Sequence, residues 1–367
     1  MRGGDLGANQ PKRLPPPSAE FQLGFLRNLQ RLLEEGAFTA TYKFALLHAL
    51  ADLAVRFGDD SGDDLLIPVR AIEERYVELY WHQVVPWPGG PSPRILAQIH
   101  AERAAIVSRV EEARKQWGGR IDRVRADESA WSDLVREVGR TVRKDPLQRL
   151  HIIGPDHLPF LFDPKEIRGK GGTALLRLRP GIGYCLRSFH SLVLELVQGG
   201  WIRFIRRRNP DVLQEQKELG DFLFGSPRGP LNQLRLPLLD LQNGDCFYCR
   251  KAVWRRDAHV DHFVPWSRYP VDLGHNFVVS HGACNLAKSD HLADIPHLER
   301  WTERNLVLAD ELTSLSTRAG IPVDHVTSLR VTEWAYQQVA ARSGLVWSAG
   351  RSLSPLAERW REILPVS

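Results

Sequence analysis

The chain has 367 residues, 43% hydrophobic and 25% charged, an ordinary globular balance with length for two or three domains. A net charge of +5 and a pI near 9.1 are compatible with a nucleic-acid partner but too mild to establish one. Four cysteines are too few for a disulfide framework, the first residues carry no apolar signal core, and no apolar run is long enough to span a bilayer, so secreted disulfide scaffolds and membrane-spanning classes are excluded and a cytoplasmic location is expected.

Residues 1–19, rich in Gly and Pro, are expected to form a flexible leader. Residues 20–150 read as a helical domain. Phe21, Phe25, Leu29, Leu32 and Leu33 make a helical stripe that Gly36 ends. Residues 41–57 are apolar on most sides, which predicts a buried helix with His48 as a satisfied core histidine. Ile72, Tyr76, Leu79 and Tyr80 repeat the helical period, and after a break at 86–91 amphipathic helices are expected near 94–117 and 128–143. Residues 151–240 read as a mixed, mainly helical segment with a strand near 174–178 and Cys185 as a buried free thiol. Gly169-Lys170-Gly171-Gly172 lacks the G-x4-G-K-[ST] spacing, which argues against nucleotide binding there. The helix expected over 188–208, with a break at Gly199-Gly200, ends in Arg203, Arg206, Arg207 and Arg208. These arginines are the candidate grip on a nucleic-acid backbone, and a solvated helix end is the competing reading.

A helical run over 231–242 leads into the stretch that carries the chemistry. Cys246 and Cys249 form a C-x2-C, and His281 and Cys284 form an H-x2-C. Two chelating pairs separated by a hairpin-sized segment predict a tetrahedral Cys3His zinc site; His275 and His291 compete with His281 but lack knuckle spacing from Cys284. Between the knuckles, Ala258 to Val264 alternates as a strand that Pro265 ends, Phe277-Val278-Val279 is a second strand, and Cys284 to Asp290 reads as a short helix on which Asn285 and Lys288 share a face. Asp261 and His262 are adjacent, so a regular strand would point them to opposite faces; a kink near Pro265 would be needed to bring them to one site. Helices are expected around 298–315 and 326–341, and a small docking helix within 347–360. The fold class is therefore mostly α with one small ββα-metal unit at 241–292 and a C-terminal helical segment at 293–367.

The Asp261-His262 pair, Asn276, Cys284-Asn285 and Lys288 inside the zinc frame resemble an HNH endonuclease domain of the zinc-knuckle kind, over about fifty residues. The resemblance implies metal-dependent hydrolysis of DNA, double-stranded DNA more than RNA, with bacterial defence or restriction as its setting. It implies His262 as general base, since imidazole titrates near working pH. Asp261 and Asn285 would hold a catalytic Mg2+ or Mn2+ through oxygen ligands, Asn276 would hold the loop and orient the base, and Lys288 would meet a phosphate oxygen or the leaving group. His259 is left between packing, solvent and an approach to DNA. The N-terminal helices are expected to supply target choice or contacts to a protein partner. The competing reading is a zinc-stabilised module that binds nucleic acid without cutting it, or an effector subunit of a larger complex.

Overall fold

A computed structural model of the chain describes residues 13–89, 93–99, 105–169, 171–213, 219–225 and 229–364. Residues 1–12 of the expected leader lie outside the described residues, but 13–18 are tied down: Gly62 N donates to Leu14 O, Leu14 N donates to Asp63, and Arg13 pairs with Asp59.

The first body is built around one buried helix. Helix α1 (Ala19–Glu35) starts at Ser18, whose side chain accepts from Phe21 N, and buries Phe25, Leu29 and Leu32 as its stripe requires; Phe21 stays exposed. Helix α2 (Tyr42–Phe57) is buried on all sides, as its uniform apolar sequence dictates. Strand β1 (Leu65–Pro68) leads into α3 (Val69–Gln83), followed by α4 (Ala105–Gln116), α5 (Ile121–Ala126), α6 (Glu128–Lys144) and α7 (Pro146–Arg149). Of the helix expected over 94–117, α4 covers Ala105–Gln116, while residues 93–99 are not helical: Asn209 accepts from the amide of Ala97 and donates to its carbonyl, so the local helix period loses there to tertiary pairing.

A two-residue hairpin, β2 (Ile152–Ile153) and β3 (Asp156–His157), precedes β4 (Leu175–Leu178), the expected strand, which pairs antiparallel with β1. Helices α8 (Ile182–Ser188) and α9 (His190–Arg208) follow, then α10 (Leu219–Phe224). Gly199 and Gly200 do not break α9. A Cβ at Gly200 would sit 2.6 Å from Phe44, so this glycine lets α9 lie close against α2. Cys185 is a buried free thiol, pushed up to about 12 by burial.

The second body has its own core. Helix α11 (Gly229–Leu241) runs into the first knuckle; β5 (Ala258–His262) pairs antiparallel with β6 (Phe277–His281), and α12 (Gly282–Lys288) packs on both strands. Helices α13 (Ile295–Val307), α14 (Ala309–Ala319) and α15 (His325–Ala340) enclose this unit. The stretch read as a docking helix is instead a hairpin, β7 (Leu345–Ala349) with β8 (Ser352–Pro355), turning at Gly350 with φ +54°; only α16 (Trp360–Ile363) is helical. Mostly helical, with a small ββα unit, the chain matches the fold class expected of it. No described helix is long and apolar enough to cross a membrane.

A buried polar network joins the two bodies. Asp52, on α2 and fully buried, accepts from Arg75 Nε at 2.8 Å, lies 3.1 Å from His190 Nε2 and 3.2 Å from His48 Nδ1, so His48 is a core histidine as expected. His190 stacks on Tyr269 of the second body, and Arg56 donates to the Tyr269 hydroxyl at 3.0 Å. Burial alone would raise the Asp52 carboxyl, but Arg75, His48 and His190 overcome it and hold it well below the usual carboxylate range. Burial also opposes Glu78, which Arg125, Arg75 and Arg56 bring down to about 2. Carboxylates depressed in the folded state stabilise it fully above their unfolded pKa of about 4, and that contribution is lost as pH falls toward the folded values. Acid unfolding is accordingly expected to set in below about pH 4. Asp52→Ala, which leaves the buried Arg75 with Glu78 alone and takes the carboxylate from His48 and His190, is expected to cost about 3–5 kcal/mol; an unchanged denaturant midpoint would show the network to be dispensable.

Candidate metal centre and reactive hairpin

The first knuckle is a tight turn closed by its own backbone. Cys246 N donates to Lys251 O at 2.9 Å and Arg250 N to Cys246 O at 3.0 Å, with Arg250 in the left-handed region at φ +63°. This geometry presents Cys246 and Cys249 to one point. The second knuckle is the junction of β6 and α12, where His281 precedes the helix and Cys284 lies in its first turn. One ligand atom from each of Cys246, Cys249, His281 and Cys284 lies within 4.8 Å of all the others. Tetrahedral zinc with sulfur at about 2.3 Å requires ligand atoms just under 4 Å apart, so the donor set and its spacing fit the ion. His281 Nδ1 lies 3.3 Å from Cys249 Sγ, while Nε2 is 3.1 Å from Ala252 O, the outer hydrogen bond that fixes a ligating imidazole. Burial and the neighbouring Cys246 and Cys249 sulfurs push the Cys284 thiol up to about 12, a crowding that a central cation relieves. His275 is no rival: it is buried against His325, 4.9 Å between rings.

Asp261 and His262 meet different partners, and β5 stays in register with β6 through His262 opposite Phe277. Asp261 is nearly buried on the α12 side. Its Oδ2 accepts from the Tyr248 hydroxyl at 2.5 Å and lies 3.2 Å from Lys288 Nζ. Tyr248, raised well above its ordinary pKa by burial and by Asp261, stays a donor. Lys288 is completely buried and its ammonium also donates to His262 O at 2.9 Å. It therefore positions the strand rather than reaching toward a phosphate, which corrects the role expected of it. Burial lowers its pKa, opposed by Asp261. Lys288→Met is expected to destabilise the second body by about 3–5 kcal/mol, as half of a buried pair is removed. Loss of activity at unchanged stability would restore a phosphate role.

His262, partly exposed, places Nε2 2.8 Å from Asp272 Oδ1. Its Nδ1 makes no hydrogen bond among the described residues. Asp272 lies ten residues beyond His262 in the loop that also carries Tyr269, and its other side borders a cavity of about 520 Å³ between the bodies, lined by His48, Arg75, His82 and Arg114 among others. Sequence reading missed both Asp272 and Tyr248. The only signal for them was an acid and a phenol near the reactive pair.

Asn276 is bonded to the backbone that follows β5. Its Oδ1 accepts from Val264 N at 2.8 Å and its Nδ2 donates to Val264 O at 2.9 Å, clamping the chain two residues after His262. Asn276→Ala orphans both groups and is expected to cost about 1–3 kcal/mol for each, read as a lowered melting temperature. Asn285 is half-buried on α12, and its side chain makes no hydrogen bond among the described residues. Among those residues no second group of three or more His, Cys, Asp or Glu ligands gathers beside the Cys3His cluster. The residues expected to hold a hard divalent ion are thus one carboxylate, Asp261, and one amide oxygen, Asn285. Such a sparse oxygen set suits an ion that keeps most of its waters, with Lys288 competing for Asp261.

The four arginines at the end of α9 are not brought to this hairpin. His190 at the start of α9 touches Tyr269, whereas Arg203 to Arg208 lie at the opposite end, roughly 20–27 Å along the helix axis. Arg203, Arg206 and Arg207 are exposed there.

A family model described as a domain of unknown function (DUF8808) matches residues 22–219, which is the first body, and stops short of Cys246. No curated protein and no solved structure matches the chain.

Proposed function

The chain belongs to the DUF8808 family, whose description assigns no activity, and we propose from the second body that it is a zinc-stapled nuclease of the HNH kind that hydrolyses DNA phosphodiester bonds. The observation that carries this reading is the Asp272–His262 contact at 2.8 Å, set in a hairpin stapled by the Cys3His cluster. A carboxylate on Nε2 fixes the tautomer with its proton there, which leaves Nδ1 as the acceptor that a general base needs. His262 takes the proton of the attacking water at Nδ1, and Asp272 stabilises the imidazolium that results. Asn276 fixes the strand end that carries His262, and Lys288 holds its carbonyl from behind. Asp261 and Asn285 are the residues that would hold Mg2+ or Mn2+, and a bound ion of this type would polarise the phosphate.

A second reading is favoured by a separate observation. Asp261 is already engaged by Tyr248 and Lys288, an arrangement that serves a zinc-stabilised nucleic-acid-binding module with no cutting step. Incubating supercoiled plasmid with the full chain in Mg2+, in Mn2+ or without a divalent ion decides between them. Open-circle or linear product that depends on the ion supports the nuclease. Retention of intact plasmid in a gel shift, with no product in any condition, supports the binding module.

A further inference from the structure

Of the eleven tryptophans, ten are buried or half-buried; Trp254 is 76% exposed. An indole left in water forgoes one of the largest apolar burials a side chain offers, and among the described residues Trp254 makes no ring stacking or cation–π contact. It stands at the tip between the first knuckle and β5. On one side are Arg250 and Lys251 of the knuckle turn, on the other Arg255 and Arg256 of a single 3-10 turn, and all four are exposed. Two of these cations have acidic neighbours, Arg255 with Asp240 at 2.8 Å and Arg256 with Asp257 at 3.5 Å. Both pairs are mostly solvent-exposed, so they are weak and exchange readily for phosphate.

The tip is rigid. Backbone bonds close the knuckle behind it, and Val253, the residue before Trp254, is buried with its amide on Gly244 O. It is also continuous with the reactive face. From the 3-10 turn the chain enters β5, where His259 and Asp261 share one face by the strand's period of two. His259 is exposed, and its ring covers Gly282 at the start of α12, where a Cβ would sit 2.9 Å from Nε2. A strand of nucleic acid laid along Trp254, His259 and α12 passes from an aromatic platform flanked by cations to the face of Asp261 and Asn285.

We infer that this knuckle tip, and not the arginine cluster of α9, is the surface that grips nucleic acid, with Trp254 stacking on an unpaired base and Arg250, Lys251, Arg255 and Arg256 on the adjoining phosphates. A lone exposed indole among cations is the pattern of single-strand recognition, since every unpaired base offers a face for stacking while a duplex shows its faces only at ends and kinks. The preferred partner is therefore single-stranded or locally unpaired DNA. The inference rests on the nucleic-acid reading proposed above, but not on cleavage.

The test uses the full-length chain carrying His262→Ala, so that the DNA survives, with a fluorescent single strand of about 20 nucleotides, longer than a typical single-strand site, and the matching blunt duplex. Adding Trp254→Ala is expected to weaken single-strand binding at least about fivefold, the low end of one base-stacking contact, with little change on the duplex. Trp254→Phe should restore most of the affinity. Arg255→Ala with Arg256→Ala should flatten the salt slope on single strand by about 1.4, whereas Arg206→Ala with Arg207→Ala should leave it unchanged. Single-strand binding that survives Trp254→Ala, or a loss confined to the duplex, overturns the inference and leaves the nuclease reading standing. Failure of the His262→Ala chain to bind either DNA overturns the nucleic-acid reading itself. Zinc content equal to wild type excludes damage to the knuckle.

Discussion

His262→Ala is expected to lower the rate of plasmid cleavage by about 10²- to 10⁴-fold, the usual contribution of a positioned general base, with zinc content and stability unchanged. The side chain is only partly buried, and among the described residues Asp272 is the one hydrogen-bonding partner its ring loses. The discriminating variant is Asp272→Asn. An amide in place of the carboxylate no longer fixes the proton on Nε2 or stabilises the imidazolium, so the rate is expected to fall and the pH at which activity rises to shift. A purely structural Asp272 would lower the melting temperature and leave the pH profile of the surviving activity where it was. Cleavage retained by His262→Ala would remove His262 as the base, and with it the main support for a nuclease.

The second large effect is expected from Cys249→Ser. Structural zinc contributes about 10–16 kcal/mol of apparent binding energy in small zinc domains, and that energy is coupled to folding. The hairpin leans on the staple at both ends: Cys246 and Cys249 precede β5, and His281 and Cys284 bracket the end of β6. Loss of one thiolate should release the ion, measured by metal analysis of the purified chain, and loosen β5, β6 and α12 together. The first body, which has its own core, should keep its helical signal. Full zinc content in the variant would refute the staple. Zinc loss with no change in stability would show that α13 to α15 hold the hairpin without it.

Much of this was legible because it is local. The α2 helix is apolar all round, and such a sequence can only be buried. A C-x2-C turn places two sulfurs on one point by backbone geometry that spans six residues, and the ββα unit followed from strand alternation and a short helix between the knuckles. Asn276 was singled out from its place in the motif, and the structure bonds it to the backbone of Val264.

What failed did so where distant chain segments compete with local preference. Residues 94–99 carry no defect as a helix, but Asn209 takes the backbone N–H and C=O of Ala97. The glycine pair in α9 signals a break by propensity, and packing against Phe44 uses one of the two for close approach instead. Lys288 has the composition of a solvated or phosphate-facing lysine, and only the closure of α12 over β5 buries it beside Asp261. Where the arginines of α9 stand relative to the hairpin was likewise not local: the length of the helix places them at the end opposite His190 and Tyr269.

By itself, then, the sequence determined the helical class, the Cys3His cluster and the ββα stretch around it, because each depends on spacings of a few residues that backbone geometry converts directly into position. The tertiary structure alone decided which acid meets His262, which groups occupy Asp261, and which cations stand near the hairpin. Those outcomes depend on a loop docked between two bodies and held by contacts such as Arg56 to Tyr269, 213 residues apart in the chain, and pairings at such separations are set by the packing of the whole core, which no local pattern encodes.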